Sequence, residues 1–275
     1  MPPADKTRPR SGVQRLPRLL IAGAEGRLGS AIVRLAVSEG YPVTAGLVRG
    51  RRTIRIPRRT SGSIRLAGPA ELPELLSSSD VFVSATTPEA ERRNLPEAAR
   101  RSVPAIVATT GLAGDQERWF RDVTRRIPVV HDANFSEGIH LLRKVVRSLG
   151  RLPEGFDVSI IETHRAGKRD APSATAKAIA GDLAAIGLSG WEPVGRPRRA
   201  NRAQIASLRG GETPGIHTVQ IEGPRELLRL EHLAYGREAF AEGILASAKW
   251  LHRRRRSIRP GLYTLDDVLD EERDG

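Results

Sequence analysis

Leu19-Leu20-Ile21-Ala22-Gly23-Ala24-Glu25-Gly26-Arg27-Leu28-Gly29 decides how this chain folds. A short apolar run ends in glycine, and a helical period follows through Leu28, Ile32, Val33, Leu35 and Ala36. Strand, glycine-rich turn and helix in that order make the first unit of a doubly wound sheet. Gly23, Gly26 and Gly29 allow a tight turn and close backbone approach to a pyrophosphate, and the opening helix offers free N–H groups and partial positive charge. On this reading Gly23, Glu25, Gly26, Arg27, Leu28 and Gly29 form a cofactor-binding loop.

Strands then alternate with helices. Strands are expected at Pro42–Val48, Asp80–Ala85, Pro104–Ala108 and Pro128–His131, and helices at Ala70–Leu76, Glu89–Arg101 and Asp115–Arg126. This order argues for a Rossmann-type parallel sheet. The second half reads differently. A helix at Gly138–Leu149, a strand at Asp157–Glu162 and an Ala-rich helix at Thr175–Ile186 precede three strand-like stretches, Gln204–Leu208, His217–Ile221 and Leu227–His232, and a helix at Ala239–Leu251. Strands without intervening helices imply a mixed sheet. The fold class is therefore α/β, a doubly wound parallel sheet with a second α+β domain of mixed sheet. The expected division is a basic, disordered tail over 1–17, a dinucleotide-binding domain over 18–133, a substrate and oligomerisation domain over 134–250, and a segment over 251–275 that returns to the first domain.

The second strand selects the nucleotide. Where NAD binders carry an acid for the ribose hydroxyls, this chain has Leu47-Val48-Arg49-Gly50-Arg51-Arg52. Arg49 is placed to meet a 2′-phosphate, so NADPH is preferred and NADH is the alternative. Thr86, and Thr109-Thr110-Gly111 after the strand ending at Ala108, lie beyond carboxyl ends of strands, where ligands of open α/β sheets bind.

Charge gives the remaining bounds. The 275 residues carry a formal net charge of +13, concentrated in 1–18, 49–65 and 252–259. With aromatics at only 4% and no zinc-finger or RNA-recognition pattern, nucleic acid is not the expected partner. The absence of cysteine excludes disulfides, thiolate metal sites and a Cys nucleophile, and no metal site is expected. No apolar run reaches membrane-span length, and no signal-peptide core follows Met1, so a cytoplasmic protein is expected.

The densest constellation is Glu162-Thr163-His164-Arg165-Ala166-Gly167-Lys168-Arg169-Asp170-Ala171-Pro172-Ser173-Ala174-Thr175. His164 can donate a proton near neutral pH. Arg165, Lys168 and the helix start at Ser173, Ala174 and Thr175 can hold carboxylates. With GAEGRLG at Gly23, ATTG at Ala108, ANFSEG at Ala133, RGGETPGIHTV at Arg209 and PGLYTLDDVL at Pro260, this constellation resembles the dihydrodipicolinate reductases (4-hydroxy-tetrahydrodipicolinate reductases) of the diaminopimelate route to lysine, from about Leu19 to Leu269.

The resemblance implies hydride transfer from NAD(P)H to an unsaturated cyclic imine dicarboxylate, with His164 as proton donor and Lys168 assisting and binding substrate. It also implies that Ser173, Ala174 and Thr175 bind a substrate carboxylate. Thr109, Thr110, Gly111, Ala133, Asn134 and Phe135 would wall the nicotinamide, and Arg237 would lie near the cofactor. Most members of the family are tetramers, so a homotetramer is implied. The chain departs from the family pattern at Arg165 for a second His, Ala174 for Gly, Ala108 for Gly, Ser84-Ala85-Thr86 for Asp-Phe-Thr, and Glu137 for a small or apolar residue. Three functions stay open: the lysine-pathway reductase, a paralogue reducing another imine or unsaturated acid in specialised metabolism, and a non-catalytic nucleotide- or partner-binding protein. Retention of His164 with Lys168 argues against the last.

Overall fold

The first strand, β1 (Leu19–Ala22), is four apolar residues, every one buried, as a central parallel strand requires. The structure is a computed structural model and describes residues 15–49, 64–112, 116–195, 199 and 201–274. The basic tail before residue 15 and the arginines of the 50–63 loop, Arg51, Arg52, Arg55, Arg58 and Arg59, lie outside the described residues.

After β1 come α1 (Arg27–Ser38), β2 (Val43–Leu47), β3 (Leu66–Ala67), α2 (Leu72–Ser77), β4 (Val81–Ser84), α3 (Pro88–Arg100), β5 (Ala105–Val107), α4 (Gln116–Thr124) and β6 (Pro128–His131). The second half runs α5 (Glu137–Ser148), β7 (Asp157–His164), α6 (Ala174–Asp182), β8 (Trp191–Pro193), β9 (Ala203–Arg209), β10 (Ile216–Glu222), β11 (Leu227–Leu233), α7 (Glu238–Arg254), β12 (Gly261–Tyr263) and α8 (Leu265–Asp274).

The first sheet has the order β12-β6-β5-β4-β1-β2-β3, and its pairs are parallel. The order reverses between β1 and β4, so the crevice beyond their carboxyl ends is the switch point at which ligands bind. One face packs on α1, α7 and α8, with Ile21, Ile32, Val83, Ile244 and Val268 fully buried. The other face packs on α2, α3 and α4 around Leu20, Phe82 and Leu95.

The second sheet is mixed, β11-β10-β7-β9-β8, with β10 antiparallel to both neighbours and β7, β9 and β8 parallel. One face carries Val158, Ile160, Ile205, Val219 and Ile221 against Leu142 and Val146 of α5 and Ala176 and Ile179 of α6. The opposite face presents a row formed by Leu208, Thr163, Ile216 and Leu233, in register across four strands. Leu208 and Leu233 are 54% and 45% exposed.

Three short strands, β3, β8 and β12, and the last helix go beyond the sequence-derived elements. Strands of two or three residues show no period to read. The return to the first sheet also comes earlier than residue 251. Helix α7 packs on α1, β4 and β5, so the chain is back at that sheet from Glu238. Beyond it, α8 is held to α5 by His140 on Asp266, by Arg147 Nη2 on Asp266 at 2.9 Å, and by Lys144 Nζ on Asp270 at 2.6 Å.

Candidate active site

Two sites face the cleft, one on each sheet. On the first, the chain leaves β1 at Gly23, whose φ of +77° suits glycine, and Gly26 N–H donates to Gly23 O at 2.8 Å. A Cβ at Gly23 would lie 2.2 Å from Ala85 O, and one at Gly29 would lie 2.0 Å from Gly23 O. The loop is thus pressed between β4 and α1, and only glycine fits at either contact. The first N–H inside the helical ladder is that of Ser30, donating to Gly26 O. The N–H groups of Arg27, Leu28 and Gly29 precede it and form the anion-seeking start of α1.

A cavity of about 450 Å³ opens beside this loop, lined by Gly23, Glu25, Gly26, Arg49, Thr86 and Arg93, among others. Arg49 is exposed at its rim, with its backbone N–H on the Glu25 carboxylate at 3.4 Å. Arg93 is a second cation there that sequence reasoning missed, because it reads only as part of helix α3. The cavity, the glycine contacts and the free helix start suit a dinucleotide, with Arg49 and Arg93 available to a phosphate.

Thr86 and Thr109 are brought together by a residue that the sequence shows only as part of a helix. Glu91 is fully buried, and its Oε1 accepts from Ser84 Oγ at 2.7 Å, Thr86 Oγ1 at 2.6 Å and Thr109 Oγ1 at 2.5 Å. Thr109 Oγ1 in turn accepts Thr86 N–H at 3.0 Å. Thr110 and Gly111 are exposed beyond β5. Phe135 differs from expectation. Its side chain is 3% exposed and packed in the core with residues of α7. Ala133 is half-buried near Arg143 and Asp132. Glu137 opens α5, exposed, where an acid suits the helix dipole.

The second site lies at the carboxyl end of β7. That strand runs two residues further than expected, to His164, and its alternation puts Val158, Ile160, Glu162 and His164 on the buried face. Register then builds a polar row across the sheet: Ser207, Glu162, His217 and His232 are successive partners on β9, β7, β10 and β11. Glu162 is fully buried. Its Oε1 accepts from Ser207 Oγ at 2.7 Å, Ser173 N–H at 3.0 Å and Arg209 Nη2 at 3.1 Å. Its Oε2 lies 3.3 Å from His164 Nδ1 and 3.7 Å from His217 Nε2.

Burial alone would raise the Glu162 carboxyl, but the hydrogen bonds from Ser173, Ser207 and Arg209 outweigh it and hold it at about 2. Burial pushes His217 down to about 3, so it is neutral. His164 is lowered, by burial first, with Lys168 and Arg209 adding to the fall and Glu162 opposing it.

Ser173 departs from its expected role. It is 1% exposed, its N–H is taken by Glu162, and its Oγ caps α6 through Ala176 N–H at 3.1 Å. Thr175 Oγ1 accepts from Asn134 Nδ2 at 2.9 Å, tying α6 to the segment that follows β6. Ala174, the first residue of α6, is left at the open helix start. Lys168 Nζ pairs with Asp170 at 2.9 Å.

Arg165, Arg27 and Arg237 converge from three segments. Partial desolvation and repulsion from Arg165 and Arg237 lower the Arg27 guanidinium, with Glu212 opposing. None of the three has an ion-pair partner within 4 Å among the described residues. Clustered, unpaired guanidiniums at a cleft form an anion-binding arrangement.

Comparison with known proteins covers nearly the whole chain. Residues 17–135 match the family described as Dihydrodipicolinate reductase, N-terminus, and residues 138–269 match Dihydrodipicolinate reductase, C-terminus. A 4-hydroxy-tetrahydrodipicolinate reductase of Rhodopseudomonas palustris (strain BisB18) is 37% identical over 268 residues, 92% of this chain and 97% of that one. Its counterpart from Caldanaerobacter subterraneus subsp. tengcongensis is 33% identical over 259 residues, 92% and 98% of the two chains. In structure, a dipicolinate-bound dihydrodipicolinate reductase from Paenisporosarcina sp. TG-14 superposes with a TM-score of 0.68 at 22% identity, covering 93% of this chain and all of that one.

Proposed function

The chain belongs to the dihydrodipicolinate reductase family, and from that premise we propose that it reduces the unsaturated cyclic dicarboxylate 4-hydroxy-tetrahydrodipicolinate, preferring NADPH and taking the proton from His164. It is an NAD(P)H-dependent oxidoreductase. The observation that carries the finer reading is the cleft itself, where the dinucleotide loop of the first sheet and a buried-carboxylate-backed histidine at the end of β7 flank three clustered arginines.

When bound, the reduced nicotinamide supplies the hydride. The chain's own residues do the rest. Arg165, Lys168 and the α6 start at Ala174 and Thr175 hold the two carboxylates. Thr86, Thr109, Thr110, Gly111 and Asn134 shape the pocket above the second domain. His164 Nε2 would give its proton to the atom of the double bond that does not take the hydride, so that the bond gains one hydride and one proton.

The test is a cofactor-oxidation assay with the substrate generated enzymatically. Consumption of NADPH with a 1:1 yield of reduced product is expected. Tight NADPH binding with no turnover would instead favour another cyclic imine as substrate.

The NADPH preference rests on Arg49 and Arg93 at the cavity rim and on the absence of an acid at the end of β2. Arg49→Ala is expected to weaken NADPH by ~10-fold and NADH by less than ~2-fold, since one charge-assisted bond to a phosphate is lost. Fluorescence titration with both nucleotides reads this, and equal weakening would refute the assignment.

A homotetramer belongs to the same proposal. The row of exposed Leu208 and Leu233 with half-buried Ile216 between them would be covered by a second copy of the chain, and light scattering on the purified protein measures the assembly. Cytoplasmic placement also goes with this reading. No described helix is long and apolar enough to cross a membrane.

A further inference from the structure

Glu162 has no part in the chemistry described so far, yet it is a fully buried carboxylate beside the proposed proton donor. Its two oxygens face different surroundings. Oε1 is saturated by Ser173 N–H, Ser207 Oγ and Arg209 Nη2. Oε2 accepts no hydrogen bond of ordinary geometry among the described residues, and His164 Nδ1 is likewise unpartnered, although the two lie 3.3 Å apart. Two complementary buried groups, each lacking a partner and each facing the other, are poised to pair when the site tightens around ligand.

We propose that Glu162 is a positioning residue for proton transfer, accepting Nδ1–H of His164 and leaving Nε2 to carry the proton delivered to substrate, with His217 bracing the same carboxylate oxygen. This rests on the reductase reading above.

The tautomer follows from satisfaction. An Nε2–H, Nδ1-lone-pair imidazole would set a lone pair against a carboxylate, whereas Nδ1–H donates to it. The imidazolium then donates from both nitrogens. After Nε2–H passes to substrate, the ring is neutral and still anchored by Nδ1–H, and Glu162 never takes a proton. His217 fits the bracing role because it is 2% exposed and stays neutral. Its Nε2 faces both Glu162 Oε2, at 3.7 Å, and Ser173 Oγ, at 3.4 Å. The two imidazole rings meet edge to face at 5.0 Å. Gly215 closes the remaining side, where a Cβ would lie 3.3 Å from His164 Nε2.

The other charged groups facing His164 are Lys168 and Asp170 from the following loop and Arg209 from β9. The two cations lower its proton affinity, and Glu162 raises it more than Asp170 does. Glu162, His164 and His217 could also converge on a divalent ion. Arg209 on Glu162 and Lys168 nearby already supply positive charge, which favours the proton-holding arrangement.

The test begins with the unmodified protein carrying ¹⁵N-labelled histidine, His164 being assigned by difference from His164→Gln. Long-range proton–nitrogen correlation at a pH where His164 is neutral should show Nδ1–H, and an Nε2–H tautomer would overturn the proposal. This measurement needs neither turnover nor a variant of Glu162, so it separates failure of the proposal from failure of the proposed reaction.

Glu162→Gln then removes the anion while keeping the shape. The donor must be protonated, so activity falls as pH rises through its pKa. Losing a neighbouring anion lowers that pKa, and the basic limb of the kcat/KM profile should move down by about one pH unit. The value of kcat should fall by ~100-fold with little change in NADPH affinity. A folded Glu162→Gln protein with the wild-type pH limb and kcat within about threefold of wild type would overturn the proposal. If that variant does not fold, the tautomer decides.

Discussion

Replacing His164 with Gln is expected to lower kcat for NADPH-dependent reduction by ~10²–10⁴-fold. Gln keeps a hydrogen-bonding side chain of similar reach at the end of β7, so the cradle of Glu162, Arg209 and Gly215 remains. What is lost is the imidazole that is proposed to hold and release the proton. The proposed nucleotide site lies on the other sheet, so the NADPH dissociation constant should change by less than ~2-fold, a pattern that marks loss in the chemical step. Single-turnover NADPH oxidation separates the two, and a loss below ~10-fold would remove His164 from the role of donor.

The second large effect is at Gly29. Alanine there would place a methyl group 2.0 Å from the carbonyl oxygen of Gly23 and 2.7 Å from its carbon. Gly23 has little room to retreat, because the side of it where a Cβ would stand, 2.2 Å from Ala85 O, is filled by the backbone just past β4. Either α1 or the loop must move, so Gly29→Ala is expected to cost roughly 2–4 kcal/mol of stability. The same shift would pull the first-turn N–H groups off the pyrophosphate position and weaken NADPH by ~100-fold or more. Gly181 in α6 is the control. It has nothing within 4 Å, so Gly181→Ala should stabilise by about 0.5–1 kcal/mol through helix propensity. Calorimetric melts of the two variants should move in opposite directions, and a Gly29→Ala melt matching wild type would refute the close-approach argument.

Much of this architecture was written in local pattern. The apolar run at Leu19, the glycines after it and the helical period behind them identify a nucleotide-binding βα unit because each residue's constraint is local. The limits of reading appear where a side chain's meaning comes from a distant strand. Glu162 reads as the end of a strand, and only the pairing of β7 with β9 and β10 reveals that Ser207 and His217 flank it. One signal was present: residues two apart on a strand share a face, so a carboxylate two positions before His164 had to lie on the same side. Glu91 shows the same limit, since its three hydroxyl partners come from the ends of two other strands. Ser173 is the reverse case. Its place at a helix start suggested a free N–H for ligand, but the fold spends that N–H on Glu162.

The position of β12 in the first sheet bears on how the chain is born. Residues 261–263 pair in parallel with β6, residues 128–131, across more than a hundred intervening residues that build the second domain. During synthesis β6 emerges with one edge bare, a template for unwanted pairing. It stays so while the whole mixed sheet is translated, a wait of several seconds or more at ~5–20 residues per second. The nucleotide-binding half therefore receives its last strand only after the second domain has been made, and the edge of β6 stays open to other pairing until residues 261–263 arrive.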